Sequence, residues 1–229
     1  MHDDLTHSRR TFLRGAAAVG VGALAGSLGR WPAPAFADAP PTTPDAALQA
    51  LLDGNRRFIE GKITAPNRNL EHLKQVAPKQ KPFAAFLGCA DSRVPVEIIF
   101  DQGFGDLFVV RVAGNVAAAE ETASLEFGTI VLGAKLLMVL GHSNCGAVKA
   151  ALEGTEVPGQ ISTLYRLITP GIDRQNKDLD AAVVANVRAQ AKVLRDGSTV
   201  ISGLIRDGKL KLVGGVDDLN SGKVTVIEG

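Results

Sequence analysis

Two cysteines make up the whole thiol content of this 229-residue chain, and each stands where an apolar run breaks off. Cys89-Ala90-Asp91-Ser92-Arg93 follows one run, and His142-Ser143-Asn144-Cys145 follows another. Two thiolates and one imidazole nitrogen suit zinc, a borderline-soft ion that takes sulfur at about 2.3 Å in tetrahedral geometry. Three protein ligands leave the fourth place for water or an acidic side chain, which is the pattern of a catalytic centre rather than a structural one. Asp91 has two possible roles. It can fill that fourth place, or Arg93 two residues on can hold it away through a bidentate pair that keeps the carboxylate ionised and aimed. A closed four-ligand cage would need His72, which lies outside both motifs.

A pair of cysteines could instead form a disulfide, so the compartment matters. Ser8-Arg9-Arg10-Thr11-Phe12-Leu13 places twin arginines before an Ala/Gly-rich uncharged stretch, and Ala35-Phe36-Ala37 supplies small residues for cleavage. Residues 1–37 therefore read as a twin-arginine export signal, cut near Asp38, with a periplasmic or secreted product and no membrane anchor after cleavage. The stretch is only mildly apolar and is closed by Arg30 and prolines, which argues against a retained membrane span. That export route carries chains folded in the cytoplasm, where the thiols are still reduced, so a metal site is favoured over a disulfide.

These residues can meet only if distant segments converge. Residues 38–229 suffice for one domain with a sizeable core, and no linker-like tract divides them. The chain carries 25 Lys and Arg against 24 Asp and Glu, a near balance that offers nothing to attract nucleic acid or an anionic membrane. Thr43-Pro44-Asp45 opens a helix over about 44–60. Phe83–Leu87, Leu107–Val112 and Leu136–Leu140 have the purity of strands buried on both faces, which points to a parallel sheet. Glu120–Leu132 reads as a crossover helix, Asp178–Arg195 as a long amphipathic helix and Ser198–Arg206 as a further helix. Leu210–Val213 and Lys223–Ile227 read as two more strands joined by a turn, the last an antiparallel edge. The expected fold class is α/β, with a mixed, mainly parallel sheet of four parallel core strands plus one antiparallel edge strand, flanked by helices. Ligands bind at the carboxyl ends of strands in such sheets, so neighbouring first and third strands would bring Cys89, His142 and Cys145 together.

The blocks GCADSRVP and GHSNCGAVK resemble the two signatures of the β-class carbonic anhydrases, and the similarity runs from about Pro44 to Val226. The resemblance implies a β-carbonic-anhydrase-like fold. It also implies reversible hydration of carbon dioxide to bicarbonate and a proton by zinc-bound hydroxide. Cys89, His142 and Cys145 would bind Zn2+, and Asp91 and Arg93 would form a gating dyad. It further implies that Gln80 orients substrate and that Phe108 and Phe127 form an aromatic wall, although a surface turn and core packing are the plainer readings of Gln80 and Phe127. Phe127, Asp217 and Phe86 depart from residues common in relatives, tyrosine at the first two and the regulated subgroup's tryptophan at the third. A site that stays open at neutral pH is therefore expected. A homodimer or homotetramer is implied, with helix 44–60 as a possible dimerisation arm. Hydrolysis of carbonyl sulfide or carbon disulfide, or a non-catalytic zinc protein closed by Asp91, are the alternatives on the same residues. His72 is the remaining histidine that could carry protons.

Overall fold

The computed structural model describes residues 40–227. The segment read as an export signal, residues 1–37, lies outside the described residues. The first helix, α1 (Pro44–Ile59), starts as its sequence suggests: Thr43 is extended and its hydroxyl accepts the Ala46 N–H at 3.3 Å. Next come α2 (Leu70–Val76), β1 (Ala84–Gly88), α3 (Val96–Ile99), β2 (Leu107–Arg111) and α4 (Ala119–Glu126). The second half holds β3 (Leu136–His142), α5 (Gly146–Glu153), α6 (Ser162–Ile168), α7 (Leu179–Gly197), α8 (Thr199–Arg206), β4 (Lys211–Asp218) and β5 (Lys223–Ile227).

The five strands form one sheet in the order β2-β1-β3-β4-β5, parallel except for the last pair. The expected class is therefore observed, and β1 and β3 are direct neighbours with Gly88 beside Leu140. One face of the sheet packs Phe86, Met138, Leu140 and Val213 against Ala47 and Leu51 of α1 and Val96 and Ile99 of α3. The other packs Ala85, Leu87, Leu137 and Val139 against Leu125 of α4, Val187, Ala191 and Leu194 of α7 and Ile201 of α8. Both faces are thus covered, which accounts for the uninterrupted apolar runs of β1 and β3. The apolar face of α1 lies on the chain's own sheet, so Ala47 and Leu51 are not offered to a neighbouring chain.

Three expectations need correction. Residues 107–112 do not form a strand buried on both faces: β2 is the sheet's edge and its residues are half-buried, Arg111 being exposed. The crossover is not one regular helix to Leu132, because α4 gives way to a wider π-helical turn, Phe127–Val131, in which Gly128 lies against the Phe108 ring. Strand β4 runs well past Val213, and its Gly214 and Gly215 continue the pairing with Val139 and Leu140. A Cβ at Gly214 would stand 2.7 Å from Val187 and one at Gly141 2.6 Å from it, so the two glycines let α7 approach the sheet. The glycine pair that looked like a strand end is a packing feature. Among the described residues, no helix is long and apolar enough to cross a membrane.

Candidate metal centre

Every group of the site sits at the carboxyl ends of the parallel strands. Cys89 directly follows β1, His142 ends β3, Arg111 ends β2 and Asp217 lies near the end of β4, paired in register with His142. Cys145 is the N-cap of α5, and Asn144, at φ 58°, turns the chain back so that Cys145 faces His142. Asparagine tolerates this left-handed backbone better than most residues. Ser143 anchors the turn to β4: its N–H donates to the Asp217 carbonyl at 2.8 Å, and its hydroxyl accepts the Leu219 N–H at 3.0 Å.

The Sγ atoms of Cys89 and Cys145 and a ring nitrogen of His142 lie within 4.8 Å of one another, all three residues being buried. His142 Nδ1 lies 2.9 Å from the Ser143 carbonyl. A carbonyl only accepts, so Nδ1 carries the proton and Nε2 presents its lone pair. That buried Nε2 has no hydrogen-bond partner. An orphaned acceptor is costly to bury, and its position beside two sulfurs matches a zinc ligand. The thiols share a proton. The hydrogen bond from Cys145 favours the thiolate at Cys89 and lowers its pKa, against burial and with help from His142 and the Gly114 N–H. Cys145, which donates that bond, is pushed up. Burial opposes charge on His142, but the negative charge at neighbouring Cys89, the Ser143 carbonyl and Asp91 outweigh it and raise its pKa.

Asp91 and Arg93 form the expected pair. Arg93 Nε and Nη2 donate to the two carboxylate oxygens at 2.9 and 2.8 Å, and the Arg93 N–H adds a third bond at 2.9 Å. The Arg93 side-chain hydrogen bonds hold Asp91 well below the usual carboxylate range despite some burial. Its Oδ2 lies 3.8 Å from His142 Nε2, at the edge of the cluster.

Gln80, Phe108 and Phe127 are placed elsewhere within one chain. Phe108 is the second residue of β2, about 10 Å along the strand from its carboxyl end. Its ring packs 6.3 Å from that of Phe127, centroid to centroid, and Phe127 is itself exposed. Gln80 is exposed and lines a cavity with Lys79, Lys81, Val131 and Leu132. His72 Nε2 lies 3.1 Å from the Phe104 carbonyl, in the loop that feeds the start of β2 at the opposite end of the strands from the cluster.

Two site residues carried no motif signal. Arg111 clamps the loop bearing the first thiol, its Nε donating to the Cys89 carbonyl at 2.9 Å and its Nη2 to the Asp91 carbonyl at 2.6 Å. The only hint was a basic residue closing an apolar run. Asp217, noted in sequence as a departure from relatives, is 2% exposed and Oδ1 has no partner. Burial pushes its carboxyl up to about 6. It shares a small cavity with Arg93, Phe58 and Leu219.

A family model described as carbonic anhydrase matches residues 84–224. Carbonic anhydrase 2 of Mycobacterium tuberculosis H37Rv is 39% identical over 195 residues, covering 82% of this chain and 94% of that protein. The solved β-carbonic anhydrase CcaA resembles the fold with a TM-score of 0.61 at 29% identity, covering 80% of this chain and 88% of the other. The Coccomyxa β-carbonic anhydrase, solved with acetazolamide, gives a TM-score of 0.60 at 27% identity over 80% and 88% of the two chains.

Proposed function

The chain belongs to the β-class carbonic anhydrase family, enzymes of the lyase class, and from that premise we propose that it hydrates carbon dioxide reversibly at a zinc ion held by Cys89, His142 and Cys145. The observation that carries the proposal is the buried, unpartnered Nε2 of His142 facing two thiols in one compact cluster. Zinc there would supply a Lewis acid able to bring the pKa of a water from about 15.7 to about 7. The remaining chemistry belongs to the chain. Asp91 is kept ionised and fixed by three bonds from Arg93, so its Oδ2 can only accept, and it orients an O–H placed beside His142. Arg93 holds the carboxylate away from the ligand position, which supports the open form over a site closed by Asp91. Val116, Val148 and Ile168 pack in the same buried apolar cluster as the two thiols, which keeps the cluster's inner side dry.

Metal analysis combined with stopped-flow hydration across about pH 6.5–9, a range that brackets the zinc-water pKa, tests the proposal. About one zinc per chain is expected, with metal and activity both lost in Cys89→Ala and His142→Ala. Metal-loaded protein with no hydration above buffer would defeat it. Carbonyl sulfide and carbon disulfide in parallel assays decide whether either gas is preferred.

Two further readings belong to the same proposal. A second copy of the chain covers the β2 edge, where Phe127, Ile130 and Val131 are 45%, 54% and 63% exposed, and so brings Gln80, Phe108 and Phe127 toward a neighbour's cluster. Light scattering on Ile130→Asp should then report a smaller particle, and an unchanged mass would rule this out. Export by the twin-arginine route rests on Ser8–Leu13, and a mature N-terminus near Asp38, lost in an Arg9→Lys, Arg10→Lys variant, is the expected result.

A further inference from the structure

We infer that Asn186 and Gln190, two buried amides on α7, are positioning residues for the metal centre: they hold the segment whose Gly114 N–H donates to the Cys89 sulfur. The inference rests on the zinc reading above. Gly114 N lies 3.3 Å from Cys89 Sγ. Its own carbonyl accepts from Asn186 Nδ2 at 2.9 Å. Gln190 Nε2 donates to Asn186 Oδ1 at 3.1 Å and to the Leu167 carbonyl at 3.0 Å, while its Oε1 accepts the Ala117 N–H at 2.9 Å. The two amides thus grip both ends of residues 114–117 and lead, through the single residue Gly114, to a thiol of the cluster.

Packing alone does not call for amides here. Asn186 is 0% exposed and Gln190 1%, on the face of α7 that otherwise presents Val183, Val187, Ala191 and Leu194. Aliphatic side chains would fill that volume without desolvating polar atoms. The 113–115 turn is irregular, with φ of 76° at Gly114 and 45° at Asn115, so its peptide groups cannot satisfy one another in a regular ladder. A side chain at Gly114 is disfavoured as well, since the backbone there is left-handed and a Cβ would stand 2.8 Å from Ile168 Cδ1, which would have to shift. External amides therefore set the direction of the Gly114 N–H. A hydrogen bond to a ligating sulfur withdraws electron density from it and fixes how its other lone pairs point.

The test uses full-length protein, with Asn186→Ala and Gln190→Met as relay variants and Leu194→Ala as control. Leu194 is equally buried on the same helix, but it touches the other core cluster and takes no part in the relay. Zinc affinity is measured by chelator competition, and the thiolate-to-metal charge-transfer band is read on the cobalt-substituted protein. The relay variants should lose about 10–100-fold in zinc affinity. Their cobalt band should move to lower energy as the sulfur becomes electron-richer. Leu194→Ala, though less stable, should keep wild-type affinity and band. Wild-type affinity or an unmoved band in the relay variants overturns the inference, as does an equal loss in Leu194→Ala. Either relay variant suffices if the other does not fold. Wild-type protein that binds no zinc defeats the zinc reading and this inference with it, whereas zinc-replete wild type with unaffected variants defeats the inference alone.

Discussion

Asp101→Asn should destabilise the fold by about 3 kcal/mol at neutral pH, a large share of the 5–15 kcal/mol expected for a domain. Asp101 is fully buried, two residues past the end of α3. Its Oδ2 accepts from Arg57 Nε at 2.7 Å, from the Thr64 N–H at 3.0 Å and from the Thr64 hydroxyl at 2.9 Å. Oδ1 accepts the Ala65 N–H at 2.8 Å and faces Arg68 Nη2 at 3.6 Å. An asparagine can keep one of these sets, but its NH2 must then oppose donors on the other side and leave them unpaired. One lost charge-assisted bond and one unsatisfied buried donor cost roughly 1.5–3 and 1–3 kcal/mol before partial relaxation. Asp101→Ala should cost about 1 kcal/mol more, because the backbone at φ 47° is left-handed, a conformation in which asparagine is less strained than alanine. Burial would raise this carboxyl, but the donors outweigh it and the folded-state pKa is lowered from 3.8. The unfolded chain therefore binds more protons between the two values, so stability rises with pH across that window. The contribution is complete above 3.8 and is lost as pH falls through the folded pKa. Urea denaturation followed by circular dichroism at pH 7 and in acid measures it. A gap between wild type and Asp101→Asn under about 0.5 kcal/mol at pH 7, or one that widens on acidification, would refute the reasoning.

Arg111→Met removes both bonds to the 89–91 loop and should lower kcat/KM for CO2 hydration about tenfold through misplacement of Cys89 and Asp91, with stability reduced by only about 1 kcal/mol. Unchanged stopped-flow kinetics would show that the clamp is dispensable. His72→Ala should leave hydration within about twofold in weakly buffered medium, since a true proton carrier would cost about 100-fold or more. Removing the metal with a chelator should lower the melting temperature by roughly 5–10 °C, from about 2.7 kcal/mol of linkage at a ligand concentration 100 times Kd. Identical melts with and without chelator would mean that the folded chain does not bind the ion.

Much of the site was legible because its donors are rare residue types at the ends of apolar runs. Cys89, His142 and Cys145 follow or end strands whose unbroken hydrophobicity marked them as central, and the Asp91–Arg93 pair lies two residues apart, close enough for local geometry to form it. Helix starts at Thr43, Asp178 and Ser198 were readable for the same reason, since a cap bonds to N–H groups two or three residues away. Phe108 and Phe127 illustrate the converse. The family resemblance implied a wall, and strand register sets Phe108 far from the carboxyl end of the same chain's sheet, where the cluster lies.

From sequence alone came the chemical inventory: which atoms could hold a metal, which carboxylate had its own arginine, and which segments would be strands. Tertiary structure decided what meets what. The neighbouring placement of β1 and β3 joins the thiols, the edge position exposes β2, and Asp101 becomes an ionic node among loop residues far away in the chain. Asn186 and Gln190, on a helix read from sequence only as amphipathic, lie buried against the 114–117 segment that touches Cys89. The physical reason is that a polar side chain states in sequence what it can bond, while burial and the identity of its partner depend on packing between segments that no local pattern encodes.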